Sequence, residues 1–96
     1  MASVNRKIKK VGYYLIADHP KYGKDQIVSK VFYKNADTIA GREIDAHNAE
    51  IIGQAVIDAR KQGYDNFRIE SVESVGITIP QGIIGWKQVK TRVTKY

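Results

Sequence analysis

The chain of 96 residues has no cysteine. Neither a disulfide framework nor a thiolate metal site is open to it. There are two histidines, His19 and His47, and neither has a second ligand four residues further on, the spacing that puts two ligands on one helix face. A zinc site would need carboxylates to complete its set, and the sequence points to no metal and no cofactor. No apolar run approaches the roughly 18 residues of a membrane span. The basic start (Arg6, Lys7, Lys9, Lys10) leads into an apolar stretch from Val11 to Ala17, but that stretch ends at Asp18 without a small-residue cleavage site, a poor match to a signal peptide. The phosphate-loop pattern G-x-x-x-x-G-K-[ST] is missing, as is a G-x-G-x-x-G after a strand. The glycines around Gly82-Ile83-Ile84-Gly85 read as a turn into a bulged strand.

What is present is ordinary globular composition: 43% hydrophobic and 27% charged residues, against the apolar-poor make-up of a disordered chain. The expectation is a soluble, cytoplasmic single domain over residues 1–96, with residues 1–7 a flexible basic arm. The net charge of +6 is unevenly placed. Residues 1–34 carry eight bases and two acids, residues 35–80 four bases and eight acids, and residues 81–96 four bases and no acid. Such asymmetry speaks to partners and encounter, and to solubility, more than to fold.

Periodicity gives the elements. Ile8 to Ala17 reads as a strand with apolar or aromatic residues on both faces. Asp18 to Asp25 is a loop, interrupted by Pro20 and Gly23. Gln26 to Lys34 reads as a second strand, hairpin-linked to the first, with Ile27 and Val31 inward and Val28, Lys30, Phe32 and Lys34 on the other face. Asn35, Asp37 and Gly41 suggest turns, with room for a short strand near Thr38. A helix is expected from about Ala46 to Gln62, with Asp45 as N-cap and Gly63 just beyond its end. Its stripe is Ala49, Ile52, Ala55, Val56 and Ala59, which Ile51 and Ile57 do not fit. Asn66 to Val72 is a strand, Val75 to Ile79 its continuation or a separate one, and Ile83 to Lys95 the last strand, bulged near Lys87. One helix cannot bury its stripe alone. The expected fold is therefore a two-layer α+β domain, one amphipathic helix on a mostly antiparallel sheet of four to five strands. The expected core is Val11, Leu15, Ile27, Val31, Ala49, Ile52, Val56, Ala59, Phe67, Ile69, Ile77, Val89 and Val93.

Three functional readings follow. The first is a non-catalytic nucleic-acid-binding module. Lys9, Lys10, Lys30, Lys34, Lys90 and Arg92 would displace phosphate counterions, and Phe32, Tyr14 or Trp86 would supply stacking platforms. No ribonucleoprotein-type aromatic signature, GXXG element or zinc-finger spacing accompanies them. The plainer account of the same residues is a solvated sheet face over core aromatics, with lysines guarding an edge. The second reading is a protein-interaction, inhibitory accessory or self-assembling module using surplus apolar positions such as Tyr14, Ile16, Ile51, Ile57 and Ile84. The third is an enzyme with its site near Asp18 and His19, against which stands a simple Asp-His-Pro turn. The first reading requires the two basic ends of the chain to meet in space.

Overall fold

The computed structural model describes residues 9–34 and 38–96. The expected basic arm at 1–7 and the turn residues Asn35 and Asp37 lie outside them. The elements are β1 (Lys9–His19), β2 (Gly23–Ile27), β3 (Phe32–Tyr33), α1 (Ile39–Lys61), β4 (Asp65–Ile79) and β5 (Gly82–Lys95). The sheet order is β2-β1-β4-β5, with β3 also on β1, and every pairing is antiparallel. One helix on one face of this sheet gives the two-layer α+β architecture.

The register sorts the side chains onto two faces, because directly opposed residues share a side. On the helix side, Leu15 faces Ile69, Tyr13 faces Ser71, Val11 faces Glu73 and Lys9 faces Val75. On the outer side, Ile16 faces Arg68, Tyr14 faces Glu70, Gly12 faces Val72 and Lys10 faces Ser74. The core forms where the second half of α1 lies on the sheet: Leu15, Ala17, Phe32 and Phe67 meet Ile52, Val56 and Ala59. Tyr13, Val28, Ile51, Ala55, Tyr64 and Ile69 close over its margin. Leu15 has no exposed surface at all.

Several expectations need correction. The helix starts seven residues earlier than its pattern suggested. Thr38, not Asp45, is the N-cap, its hydroxyl accepting from the Gly41 N–H at 3.0 Å. Glycine at 41 masks the helix in a propensity reading, since it costs about 1 kcal/mol relative to alanine. Ala49 is exposed, whereas Ile51, assigned off the stripe, packs on the core. The C-terminal end agrees: Gly63 has φ +95° directly after Gln62.

The second expected strand is two short ones. The Val28 N–H still donates to the Leu15 carbonyl at 3.0 Å; the chain then leaves the ladder, and the Ser29 hydroxyl takes the role of a strand partner by accepting from the Leu15 N–H at 2.9 Å. Val28 and Phe32 turn inward, while Ile27 and Val31 stand out in solvent. The assignment of faces is thus reversed. Lys30 makes the inner face look solvated, but its ammonium lies 5.4 Å above the ring of the buried Phe32. Ile77, Val89 and Val93 are also exposed, not core: Ile77 and Val89 lie where β4 and β5 run past the end of the helix layer, and Val93, opposite Glu70, is on the outer face. β4 is one continuous strand. The β5 register slips at two places, leaving Val89 and Ile84 as the extra residues on that strand, two to three residues either side of the expected bulge.

Candidate nucleic-acid interface

The uncovered part of the helix-side face begins beyond Tyr13. The Tyr13 hydroxyl accepts from Asn48 of α1 at 3.5 Å, and its ring stacks on Phe32 with centroids 5.5 Å apart. Past this point the register brings Ser71 opposite Arg92, Glu73 opposite Lys90 and Val75 opposite Lys87. From the other side, Lys34 follows β3 and fixes its backbone to β1 through its N–H to the Val11 carbonyl at 2.8 Å. Val11, Lys34, Ser71, Glu73, Lys90 and Arg92 line one open groove of about 200 Å³. Lys9 reaches Glu73 at 3.7 Å across the floor.

The two basic ends of the chain therefore meet, on either side of β4. Among the described residues, three cations line the groove against one carboxylate, with Lys87 the next on the same face of β5. β5 carries four bases and no acid over its whole length. In the sequence the groove is divided among segments some 55 residues apart. Only the register of β4 between β1 and β5 shows that Lys34 and Arg92 share a surface.

The remaining candidates lie elsewhere. Phe32, expected as a stacking platform, is only 4% exposed and belongs to the core; it presents no ring face to a ligand. Lys30 sits above it, beside a separate cleft of about 510 Å³ between residues 27–30 and the C-terminal half of α1. Tyr14, Trp86 and Lys10 are on the outer face, opposite the groove. Tyr14 donates its hydroxyl to Glu70 at 2.8 Å, and that acceptor, with partial desolvation, holds the Tyr14 hydroxyl above its ordinary pKa. The Lys10 ammonium lies 4.3 Å above the Trp86 ring and 6.0 Å from that of Tyr33, an arrangement favoured by the negative faces of the rings. Tyr33, absent from the candidate residues read from the sequence, also belongs to this cluster and stands opposite Gly12 of β1.

Asp18 and His19 are both engaged in holding the turn. The His19 Nδ1 accepts from the N–H groups of Lys21 and Tyr22 at 3.0 and 3.3 Å, so its Nε2–H donates to the Gln62 carbonyl at 2.9 Å. Both ring nitrogens are thereby committed to backbone, and the ring is set between Tyr22 and Tyr64. Asp18 accepts from Arg68 at 3.1 Å, from the Asn66 side chain at 2.7 Å and from the Asp25 N–H at 3.0 Å. Arg68 also pairs with the Asp25 carboxylate. These donors hold the Asp18 carboxyl at about 2, Arg68 contributing most. Asp25 and Asn66 both adopt left-handed backbone, φ 58° and 56°, which Asp and Asn tolerate better than most residues.

No helix among the described residues is long and apolar enough to cross a membrane. Comparison with known proteins returns no match: no family model, no curated protein and no solved structure is similar to this chain.

Proposed function

We propose that the protein is a non-catalytic module that binds the phosphate backbone of nucleic acid in the groove on the helix side of the sheet. The observation that supports this most is the convergence of Lys34, Lys90 and Arg92 from distant parts of the chain around a groove that holds a single carboxylate among the described residues. An open groove flanked by an acid-free edge strand suits an extended polyanion better than an enclosed small molecule. Lys9, paired with Glu73, neutralises the one acid in the floor. Lys34, Lys87, Lys90 and Arg92 are then the phosphate contacts, four in number.

Four contacts set the expected salt dependence. A slope of about −0.7 to −0.9 per phosphate gives an affinity loss of roughly 10²-fold between about 50 and 200 mM salt. Fluorescence anisotropy with labelled oligonucleotides measures it. Replacing Lys90 and Arg92 together by glutamine removes about half the slope. It leaves thermal stability nearly unchanged, since exposed substitutions of this kind stay within about 0.5 kcal/mol. Glutamine avoids placing a second carboxylate directly across from Glu73. An absence of binding at low salt, or an unchanged slope in the double variant, would reject the groove as the contact surface.

A second reading, self-assembly or protein docking, is favoured by the far end of the β4–β5 hairpin. Val75 to Trp86 contains no charged residue, and Ile77, Ile79, Ile83 and Ile84 on it are exposed. Concentration-dependent sedimentation that Ile84→Ser abolishes would favour it.

A further inference from the structure

The basic groove leaves open which form of nucleic acid it holds, and the opposite face of the sheet bears on that. Trp86 and Tyr33 are 40% and 55% exposed there. Between Tyr33 and β4 lies an open groove of about 160 Å³, floored by Gly12 and Val72 and walled by Val31 and Tyr14. Among the described residues its lining holds no carboxylate; its polar groups are Lys10, Ser74 and the hydroxyls of Tyr14 and Tyr33. A shallow, apolar, aromatic-walled surface with a cation at its margin suits a planar heterocycle. β5 separates this face from the basic groove. Lys87, Lys90 and Arg92 of β5 lie on the groove side, whereas Trp86, Gln88 and Thr91 lie on the outer side, opposite Gly76, Ser74 and Val72. Cations and stacking surface are thus offered on the two sides of one acid-free edge strand, a few residues apart.

A duplex cannot use both. Its persistence length of about 150 base pairs forbids it to turn around the edge of a single β-strand. A single strand has no such stiffness, and its unpaired bases are free to stack. We infer that the ligand is single-stranded, its phosphates in the basic groove and its bases on the outer face at Trp86 and Tyr33, the strand rounding the β5 edge. The inference rests on the nucleic-acid reading above. Lys10, over the Trp86 ring in the free protein, leaves it as a base takes its place.

Trp86 is the only tryptophan in the chain, so its emission reports on this face alone. The test titrates the full chain with an oligothymidine of about 20 nucleotides, with a duplex of the same length and with inorganic polyphosphate, which has no bases. Anisotropy reports binding to the labelled oligonucleotides, and Trp86 emission reports the stack. The expected result is tight binding of the single strand with strong quenching, weaker binding of the duplex, and polyphosphate binding, read by its competition with the labelled strand, without quenching. Trp86→Leu should lower single-strand affinity roughly ten-fold or more while its melting temperature and its duplex affinity stay near those of the parent. Single-strand binding with unchanged Trp86 emission would overturn the inference, as would equal affinity for duplex or equal quenching by polyphosphate; each leaves the basic groove intact as a phosphate site. No binding of any of the three would remove the nucleic-acid reading itself, and this inference with it.

Discussion

Asp18 gathers an arginine, a side-chain amide and a backbone N–H from β2 and β4 onto one carboxylate. It stands where the β1 ladder is irregular on both sides, toward β2 and toward β4. The carboxylate replaces ladder hydrogen bonds that the irregularity removes. Its folded-state pKa of about 2 lies below the roughly 3.9 of an unperturbed aspartate. A depressed carboxyl stabilises the fold above the unfolded value, and that contribution disappears as pH falls through about 4 toward about 2. Asp18→Asn should therefore melt below the parent at pH 7, and the gap between the two should narrow steadily from about pH 4 to about pH 2. Thermal denaturation across that range checks it; a gap independent of pH would mean that Asp18 acts by shape alone. His19 beside it serves the same turn, tying it to the end of α1 through Gln62.

At the scale of elements, α1 supports two opposite predictions. Thr38→Ala removes the cap that satisfies the Gly41 N–H and should cost about 0.5–2 kcal/mol. Gly53 lies mid-helix, and a methyl group there would meet nothing nearer than the Tyr96 hydroxyl at 3.8 Å. Gly53→Ala should accordingly stabilise by about 0.5–1 kcal/mol, a rise of several degrees in melting temperature for a chain of this length. Much of the architecture was legible from such local signals: the helix end at Gly63, the apolar positions Ile52, Val56 and Ala59, the long C-terminal strands. What was not legible depended on tertiary choices. Phe32 and Val31 are adjacent and both apolar, and alternation alone could not say which faces inward. Ser29, which breaks the ladder and decides it, looks like any strand serine in the sequence. The same holds for the groove: Lys34, Lys90 and Arg92 were visible as cations, but their meeting depends on β4 lying between β1 and β5. Phe32, Lys30, Lys10, Tyr14 and Trp86 were grouped with them by composition, and the register parts them.

Across the whole molecule, charge and apolar surface are segregated. The helix exposes Glu43, Glu50 and Asp58 beside Arg42, Arg60 and Lys61 and is close to charge balance, while the far half of the sheet carries the lysines and arginine of the groove. On the proposed nucleic-acid reading, a polyanion would be turned toward the sheet before contact, and high salt would slow the encounter as well as weaken the complex. The sheet is also uneven in thickness. Its middle is covered by α1, but among the described residues the last part of the β4–β5 hairpin, beyond Val75, has neither a third strand nor the helix against it. Two-stranded ribbons are marginal in water. Amide hydrogen exchange should therefore separate the chain into two populations. Amides from Gly76 to Trp86 should exchange through local opening, at rates indifferent to mild destabilisation of the domain. Those of Leu15 and Ala17 should exchange only through global unfolding, and Thr38→Ala should speed them while leaving the hairpin unchanged. Exchange of all these amides at one common protection would show the hairpin to be part of the same cooperative unit. If two populations are seen, the segment carrying Trp86 opens and recloses while the core stays folded, and any partner that seats there does so on a surface already in motion.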